Sequence, residues 1–438
     1  MCPVNGNFPV YENNYMNERP FRPGLIVDPV ERLSAAQIRC LHEASMSILD
    51  DPGLECPGEA AVSVFSDHGC PVTRLDNGQG WNVRIPRKLV DQAVESAPSR
   101  IVLGASDPNN ALELDARVPR IHFGTGSETN TYLECTTERF VSASNPDLSV
   151  VYPYYTGERG SVGRLCDSAN LCNRLSNVDF FIRNVNVQDE AITAENKDVN
   201  VFFAALLYMT KHVQAGLNEL GQLDNVLRLA QMVAGGEEAL RKNPVISFIA
   251  CPVKSPVQMV EDTAEKVVEI ARRGVPLVIS SSPQGGSTAP IQEEGIVSLI
   301  NAEILSGIVL TQLVNPGTPV LYGAVPVRAR LDTLHDLYGA PEFIHYNVDC
   351  VQMARSYGVP VYSSAGVGDA AIPGVQATIE KLPAQLSIAQ AGANYIHYAF
   401  GLLNRTGTFC PAQAVIDDAN VGVVKDILRR SDFGEIGR

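Results

Sequence analysis

The chain has 438 residues, 45% hydrophobic and 19% charged, enough apolar material to bury a core and to exclude disorder as its main state. Its 34 basic and 49 acidic residues give a net charge of −15, which disfavours nucleic acid and anionic membranes as partners. No run of about 18 apolar residues suggests a membrane span. The start, MCPVNGNFPVYENNYMNERPF, is polar and lacks the layout of a signal peptide. Ten cysteines stand singly, with no CxxC pair, so reduced thiols and a cytoplasmic location are expected.

In chain order, an aperiodic Asn-, Pro- and Tyr-rich arm leads to Ser34, a residue type that caps helices. Apolar residues then recur at helical spacing through AAQIRCLHEASMSILDD. A second helix is predicted over 58–68 and a third over 88–97, led in by VRIPR, so residues 1–100 read as an arm and a helical lobe. IVLGAS and ALELDA flank the turn DPNN as a hairpin. Eight strand-like runs follow: RIHFGTG, VDFFIRNVNV, HVQAGLN, PVISFIAC, PLVISSS, PVLYGAVPV, VPVYSSAG and NYIHYAFG. The clearest helices between them are predicted over 256–273, 293–313, 342–357 and 375–391. Alternating strands and helices imply a parallel sheet, and eight repeats predict a (β/α)8 barrel over 101–438, ending in a C-terminal helix. An open doubly wound sheet is the competing fold, but GTGSET lacks the GxGxxG spacing of its nucleotide loop.

In a barrel, chemistry belongs at the C-terminal ends of the strands. Those ends carry Gly124, Gly126, Ser127 and Glu128; Arg183; Cys251; Gln284 and Gly285; Arg328 and Arg330; Gly366 and Asp369; Tyr398 and Phe400. No HxH pair, HExxH or carboxylate ladder is present, so no metal site is expected. Gly124, Gly126, Gly285 and Gly366 would let a flat group from outside approach the backbone. Arg328 and Arg330, with His345 in the following helix start, could hold a carboxylate. Gln284 and Glu128 add polar contacts, and Tyr398 and Phe400 offer faces for an organic cation. Each residue also has a structural reading. Tyr322 and Tyr362 lie inside strands where aromatic rings usually pack, His345 fits a capped core histidine, and VVYPYY fits a packing strap.

Several stretches, in order, carry a family resemblance: LSAAQIRCLHEASMSILDDPGLE, VRIPRKLVDQAVESAP, LSNVDFFIRN, STAPIQEEG, AEILSGIVLTQLVNPGTPVLYG and GANYIHYAFGLLNRTG. From about Leu33 to Ile427 the chain resembles the trimethylamine methyltransferase family. With only standard residues, it is similar to the branch that lacks pyrrolysine. The resemblance implies a (β/α)8 barrel with an N-terminal helical extension. It also implies methyl transfer from a quaternary amine such as glycine betaine to a corrinoid on a separate small protein. No cofactor would be held tightly by this chain, and a homo-oligomer is expected. His345 and Asp369 are the catalytic candidates on this reading. VRARLDT and SSAGVGD depart from the family's usual loops, so the substrate can differ from glycine betaine. A sulfonium or methyl ether substrate, or a betaine-binding barrel without catalysis, stays open.

Overall fold

A computed structural model describes residues 21–430, apart from Asn77, Ser127 and Pro146. The expected arm up to residue 20, the end of the chain from 431 and the Ser127 position lie outside the described residues. Helix α1 (Ala35–Asp50) starts where the sequence placed it. Ser34 Oγ accepts from Gln37 N at 3.3 Å, while the Gln37 side chain accepts from Ser34 N at 2.9 Å, a reciprocal cap for two free donors. Helices α2 (Glu59–Asp67) and α3 (Arg87–Ser96) complete the lobe. Leu49, Phe65 and Val90 of these helices share one continuous core with the helices around the main sheet.

Eight parallel strands build that sheet: Arg120–Phe123, Phe180–Ile182, His212–Ala215, Ile246–Ala250, Leu277–Ser281, Val320–Ala324, Val361–Ser364 and Tyr395–His397. Each pairs with its neighbour in chain order from the second to the eighth, and the eighth pairs with the first. The order never reverses, so the switch point of a doubly wound sheet is absent. The sheet curls until its ends meet, where Gly124 and Phe180 form a parallel bridge. Leu25–Ile26 adds a short antiparallel strand along the first. The fold is mixed α/β and TIM-like.

Helices α4 (Val162–Arg174), α5 (Ala194–Tyr208), α6 (Leu223–Ala234), α7 (Glu237–Lys242) and α8 (Glu261–Arg272) follow in the first half. Helices α9 (Glu293–Val314), α10 (Pro341–Tyr357), α11 (Val375–Gln390) and α12 (Pro411–Leu428) complete the outer layer. Helix α8 begins five residues later than expected. Val253–Lys254 and Gln258–Met259 pair with each other, and the latter joins the lobe strand Leu54–Cys56. Helix α9 is apolar nearly all round, with a mean hydropathy of 1.7 over its most apolar stretch, 94% of which is buried. It packs between the sheet and α1, α3, α8 and α10, so every face is covered and none needs polar residues.

Alternation along the strands divides two cores. Phe180, Ile182, Val278, Leu321, Tyr362 and Tyr395 point inward, whereas Phe181, Ile279, Tyr322 and Ile396 point out toward the helices. The predicted hairpin forms as Arg100–Leu103 paired with Leu112–Asp115. Its Ile101, Leu103, Leu112 and Leu114 insert into the inner core and close one end. One expectation is corrected here. VVYPYY is not a packing strap: it lies in an 11-residue strand, Ser149–Arg159, paired with Thr131–Val141 and largely exposed.

Candidate active site

The C-terminal strand ends gather around an aromatic column. Tyr362 of strand seven stacks on His397 of strand eight, with ring centroids 4.0 Å apart and planes at 22°. Tyr398 covers another side of the same imidazole at 3.8 Å. It can do so because its backbone takes a left-handed φ of 68°, a conformation that a tyrosine adopts at a cost. Below, Tyr395 stacks on Phe180 at 3.5 Å. Burial holds His397 well below the usual histidine range, so its ring is neutral.

Polar atoms in this interior lack partners. His397 Nε2 meets Ser364 Oγ at 2.6 Å, but Nδ1 has no hydrogen bond. Gln214 Oε1 and Tyr395 Oη are likewise buried without a partner, and Ser280 Oγ has only the Cys251 thiol beside it. A buried orphan costs about 1–3 kcal/mol, so such atoms facing inward from strands three, five and eight mark this interior as the candidate site. Cys251, at the end of strand four, borders it. Solvent reaches this residue, yet burial raises its thiol pKa while the Ser280 hydroxyl opposes that rise.

Loops from strands five to seven roof the site. Gln284 Nε2 donates to Asp336 Oδ1 at 2.6 Å and to Leu334 O at 2.8 Å. Asp369 accepts from Tyr338 N at 3.1 Å and Gly339 N at 3.0 Å. Burial raises the Asp369 pKa against those two donors. Tyr338 and Asp336 both lie within electrostatic reach of Tyr398. Gln284 and Asp369 therefore hold the roof loop over the aromatic column. Behind the wall, the Glu303 carboxylate of α9 accepts from Ser255 Oγ at 2.8 Å, Ser281 Oγ at 2.5 Å and Val257 N at 3.1 Å. It fastens the loop after Cys251 to strand five.

The arginine–histidine clamp is not brought together. His345 turns to the outer layer, where Nδ1 meets Glu293 Oε1 at 2.9 Å, beside Arg32, which binds Glu293 and Asp349. Arg330 lies in an exposed loop paired with Asp332 at 2.7 Å. Arg328 reaches Ala329 O at 2.6 Å, with Glu342 at 3.7 Å. No hydrogen bond or ion pair links these three among the described residues. Phe400 packs wholly in the outer core, away from the column, whereas Tyr398 lies against His397.

Glu128 pairs with Arg183 and with Lys197 at 3.5 Å. Arg183 is buried and its Nη1 lacks any partner. This guanidinium, together with Tyr362, His397, Ser280 and Cys251, is what reading the strand ends undervalued.

The glycines also need correction as bare backbone for an outside group. A Cβ on Gly124 would meet the Phe180 ring at 2.2 Å, and one on Gly126 the Tyr398 ring at 2.6 Å. Gly285 faces Tyr346 Oη at 3.1 Å, and Gly366 meets Gln385 at 2.8 Å and Ala399 at 2.9 Å. Their smallness admits the protein's own groups. No group of three or more His, Cys, Asp or Glu side chains suited to a metal occurs among the described residues. Two hollows, of 550 and 580 Å³, lie elsewhere; the former is lined by residues at the starts of strands four to six.

A sequence profile described as "Trimethylamine methyltransferase (MTTB)" matches residues 18–147 and 157–436. The trimethylamine methyltransferase MttB of Desulfitobacterium hafniense is 31% identical over 400 residues, covering 90% of this chain and 74% of that protein. The glycine betaine methyltransferase of Desulfitobacterium hafniense is 24% identical over 425 residues, covering 94% and 81%. The solved phospho-2-dehydro-3-deoxyheptonate aldolase of Thermotoga maritima is 11% identical over 92% of this chain and 96% of its own. Its TM-score of 0.39 is too low to bear on the fold. The strand-end site, with its neutral aromatic column, thus sits in a methyltransferase, and the chain belongs to the trimethylamine methyltransferase family.

Proposed function

We propose that the chain transfers a methyl group from a quaternary amine of the betaine class to the cobalt of a corrinoid on a partner protein, from a site inside a (β/α)8 barrel. The observation that carries this reading is the Tyr362–His397–Tyr398 column beside orphaned polar atoms. Tyrosine faces attract a quaternary ammonium without donating a hydrogen bond that it cannot accept. The partner's cobalt(I) supplies the nucleophile. As the methyl leaves, the C–N bonding electrons stay on nitrogen and a neutral tertiary amine departs. No proton has to be delivered, which suits a column whose histidine burial keeps neutral. The chain's task is to orient the methyl group and exclude water. Too firm a hold on the ammonium would slow transfer, because positive charge leaves that nitrogen in the transition state.

For the acid end of a betaine, Arg183 replaces Arg328, Arg330 and His345 as the proposed contact, because its buried Nη1 is unpaired. Gln284 and Asp369 hold the roof, and Glu128 orients Arg183. The likeness to the glycine betaine methyltransferase supports this substrate class, and so does the absence of pyrrolysine from the sequence. The single cysteines support a cytoplasmic location as part of this reading.

The deciding experiment incubates the protein with cobalt(I) cobalamin and a panel of methylated ammonium, sulfonium and ether compounds, with products read by mass spectrometry. A demethylated betaine is the expected product. Turnover of the sulfonium or ether compounds alone would overturn the proposal.

A further inference from the structure

The hollow of 550 Å³ lies at the closed end of the barrel, among the sealing hairpin, helices α6 and α7 and the entries to strands four to six. Its walls are apolar: Ile101 and Val102 of the hairpin, Leu227 of α6 and Leu240 of α7 line it. Pro244, Pro276 and Pro319, each just ahead of a strand, line it as well. The carbonyls of Pro276 and Pro319 accept from Phe248 N and Leu277 N, both at 3.0 Å, and proline has no N–H. Their polar atoms are thus spent in the sheet, and rigid rings are what they offer the hollow. Gly274, at a φ of 62° where α8 turns toward strand five, brings no side chain to fill it.

The rim is cationic. Arg100, Arg241, Lys242 and Arg273 border the hollow against the carboxylate of Glu237, in a chain whose net charge is −15. Arg273 is tied to Asp224 at 3.0 Å and Glu269 at 2.7 Å, and Arg100 pairs with Glu113. Arg241 and Lys242 of α7 meet Glu237 and Glu238 one turn back at 3.1 and 2.7 Å, and these four side chains are 63–75% exposed. Exposed pairs of this kind contribute little and are screened by salt, so an incoming anion can displace either carboxylate.

We propose that this hollow is a second binding site that takes a small organic anion. A flat apolar body would lie against the leucine, isoleucine and proline walls, with its carboxylate at Arg241 and Lys242. The volume suits one small molecule. A sugar or a free phosphate would need hydrogen bonds over its whole surface, which such walls do not offer. A methylated ammonium, the guest proposed at the strand ends, is repelled by this rim. Reaction in a barrel belongs to the opposite strand ends, so the site serves recognition, and the inference does not depend on the substrate.

Calorimetric titration with 4-benzoylbenzoate, an aromatic carboxylate that cross-links under ultraviolet light, should show saturable binding that weakens as salt rises. The neutral 4-benzoylbenzamide should bind about tenfold more weakly or worse. Arg241→Glu combined with Lys242→Glu should weaken the carboxylate by about tenfold or more, with melting temperature showing intact folding. Irradiation of the unaltered protein with the carboxylate, followed by peptide mass spectrometry, should place the label within residues 98–102, 227–246 or 273–276. This readout needs no variant to fold. A label confined to the strand ends or to the exposed ribbon overturns the proposal. So do equal affinities for amide and carboxylate, unchanged affinity in the double variant, or no binding at all.

Discussion

The two ends of the curled sheet each bury a histidine, and the two side chains meet opposite circumstances. At the end closed by the hairpin, His212 Nδ1 meets Gly104 O at 2.7 Å and Nε2 meets Ser247 Oγ at 2.7 Å. At the other end, His397 Nε2 meets Ser364 Oγ at 2.6 Å and Nδ1 is unpaired. Both rings are wholly buried, and burial pulls both below the usual histidine pKa, His212 to about 4. Burial and pKa therefore fail to distinguish a structural histidine from a site histidine. Their unmade hydrogen bonds do differ, although the same count also marks His122 of strand one, both of whose ring nitrogens are unpaired.

The largest effect should come from breaking the closed end. In His212→Ala, Gly104 O and Ser247 Oγ lose their ring partner and a cavity opens, so unfolding free energy should fall by about 3–5 kcal/mol. Denaturant melts would show it, and substrate affinity of the folded fraction should be unchanged. A similar loss is expected for Lys381→Ala. That ammonium is fully buried between Asp417 and Leu402 O, and its removal strands a carboxylate that also receives Gly401 N at 2.8 Å. About 3–5 kcal/mol is at stake there. Stability close to wild type in His212→Ala would mean that the closed end is not the rigid base it is described as, and the same result in Lys381→Ala would mean that the buried pair does not anchor the loop after strand eight.

At the open end the balance should reverse. Tyr362→Leu keeps the bulk but removes the ring face stacked on His397. A methylated ammonium should bind about tenfold to thirtyfold more weakly, for the roughly 2 kcal/mol of a desolvated cation–π contact. Its melting temperature should change less than that of His212→Ala. Calorimetric titration with a betaine would check this, and unaltered affinity would remove the column from the site. Gly366→Ala tests the glycine correction. With φ at 93° and Ala399 Cα at 2.9 Å from the new methyl, it should lose about 1–3 kcal/mol of stability. Impaired partner docking without lost stability would restore the original reading of Gly366.

How far the sequence disclosed these differences follows from what alternation and spacing can encode. All eight strand runs were legible, as were the Ser34 cap and the sealing hairpin, because each is set by local residues. Tyr322 and Tyr362 were not separable. Both faces of these strands are buried and apolar, so period-two alternation does not say which face is the inside. In the fold Tyr322 Oη points outward to Asn301 at 2.9 Å, while Tyr362 points in. His345 was misassigned for a related reason: its face of α10 is settled by Glu293 and Asp349, with Arg32 arriving from far away in the chain. The ribbon was missed because Pro153 interrupts a strand-like run that has no core of its own.

The smallest expected effect, a flat response, sharpens the comparison from the side of pH. Histidine titrates near 6.5 in an unfolded chain, and burial holds His397 well below that and His122 and His212 at about 4. From pH 6.5 downward the unfolded chain therefore binds protons that the folded chain refuses. The stability these histidines contribute is complete above pH 6.5 and is lost as pH falls toward 4. Over the same acid range the His397 ring stays neutral, and the raised pKa of Cys251 keeps its thiol neutral at neutral pH. Neither group changes charge between pH 6 and 8, and a quaternary ammonium has no proton to lose. Betaine affinity should then vary by less than about threefold over that span, under 1 kcal/mol, while the melting temperature declines only on the acid side. A tenfold loss of affinity from pH 8 to 6 would mean that His397 takes up a proton in the occupied site. The open end would then be more solvated than its burial implies, and its orphaned atoms would belong to water rather than to a cation's seat.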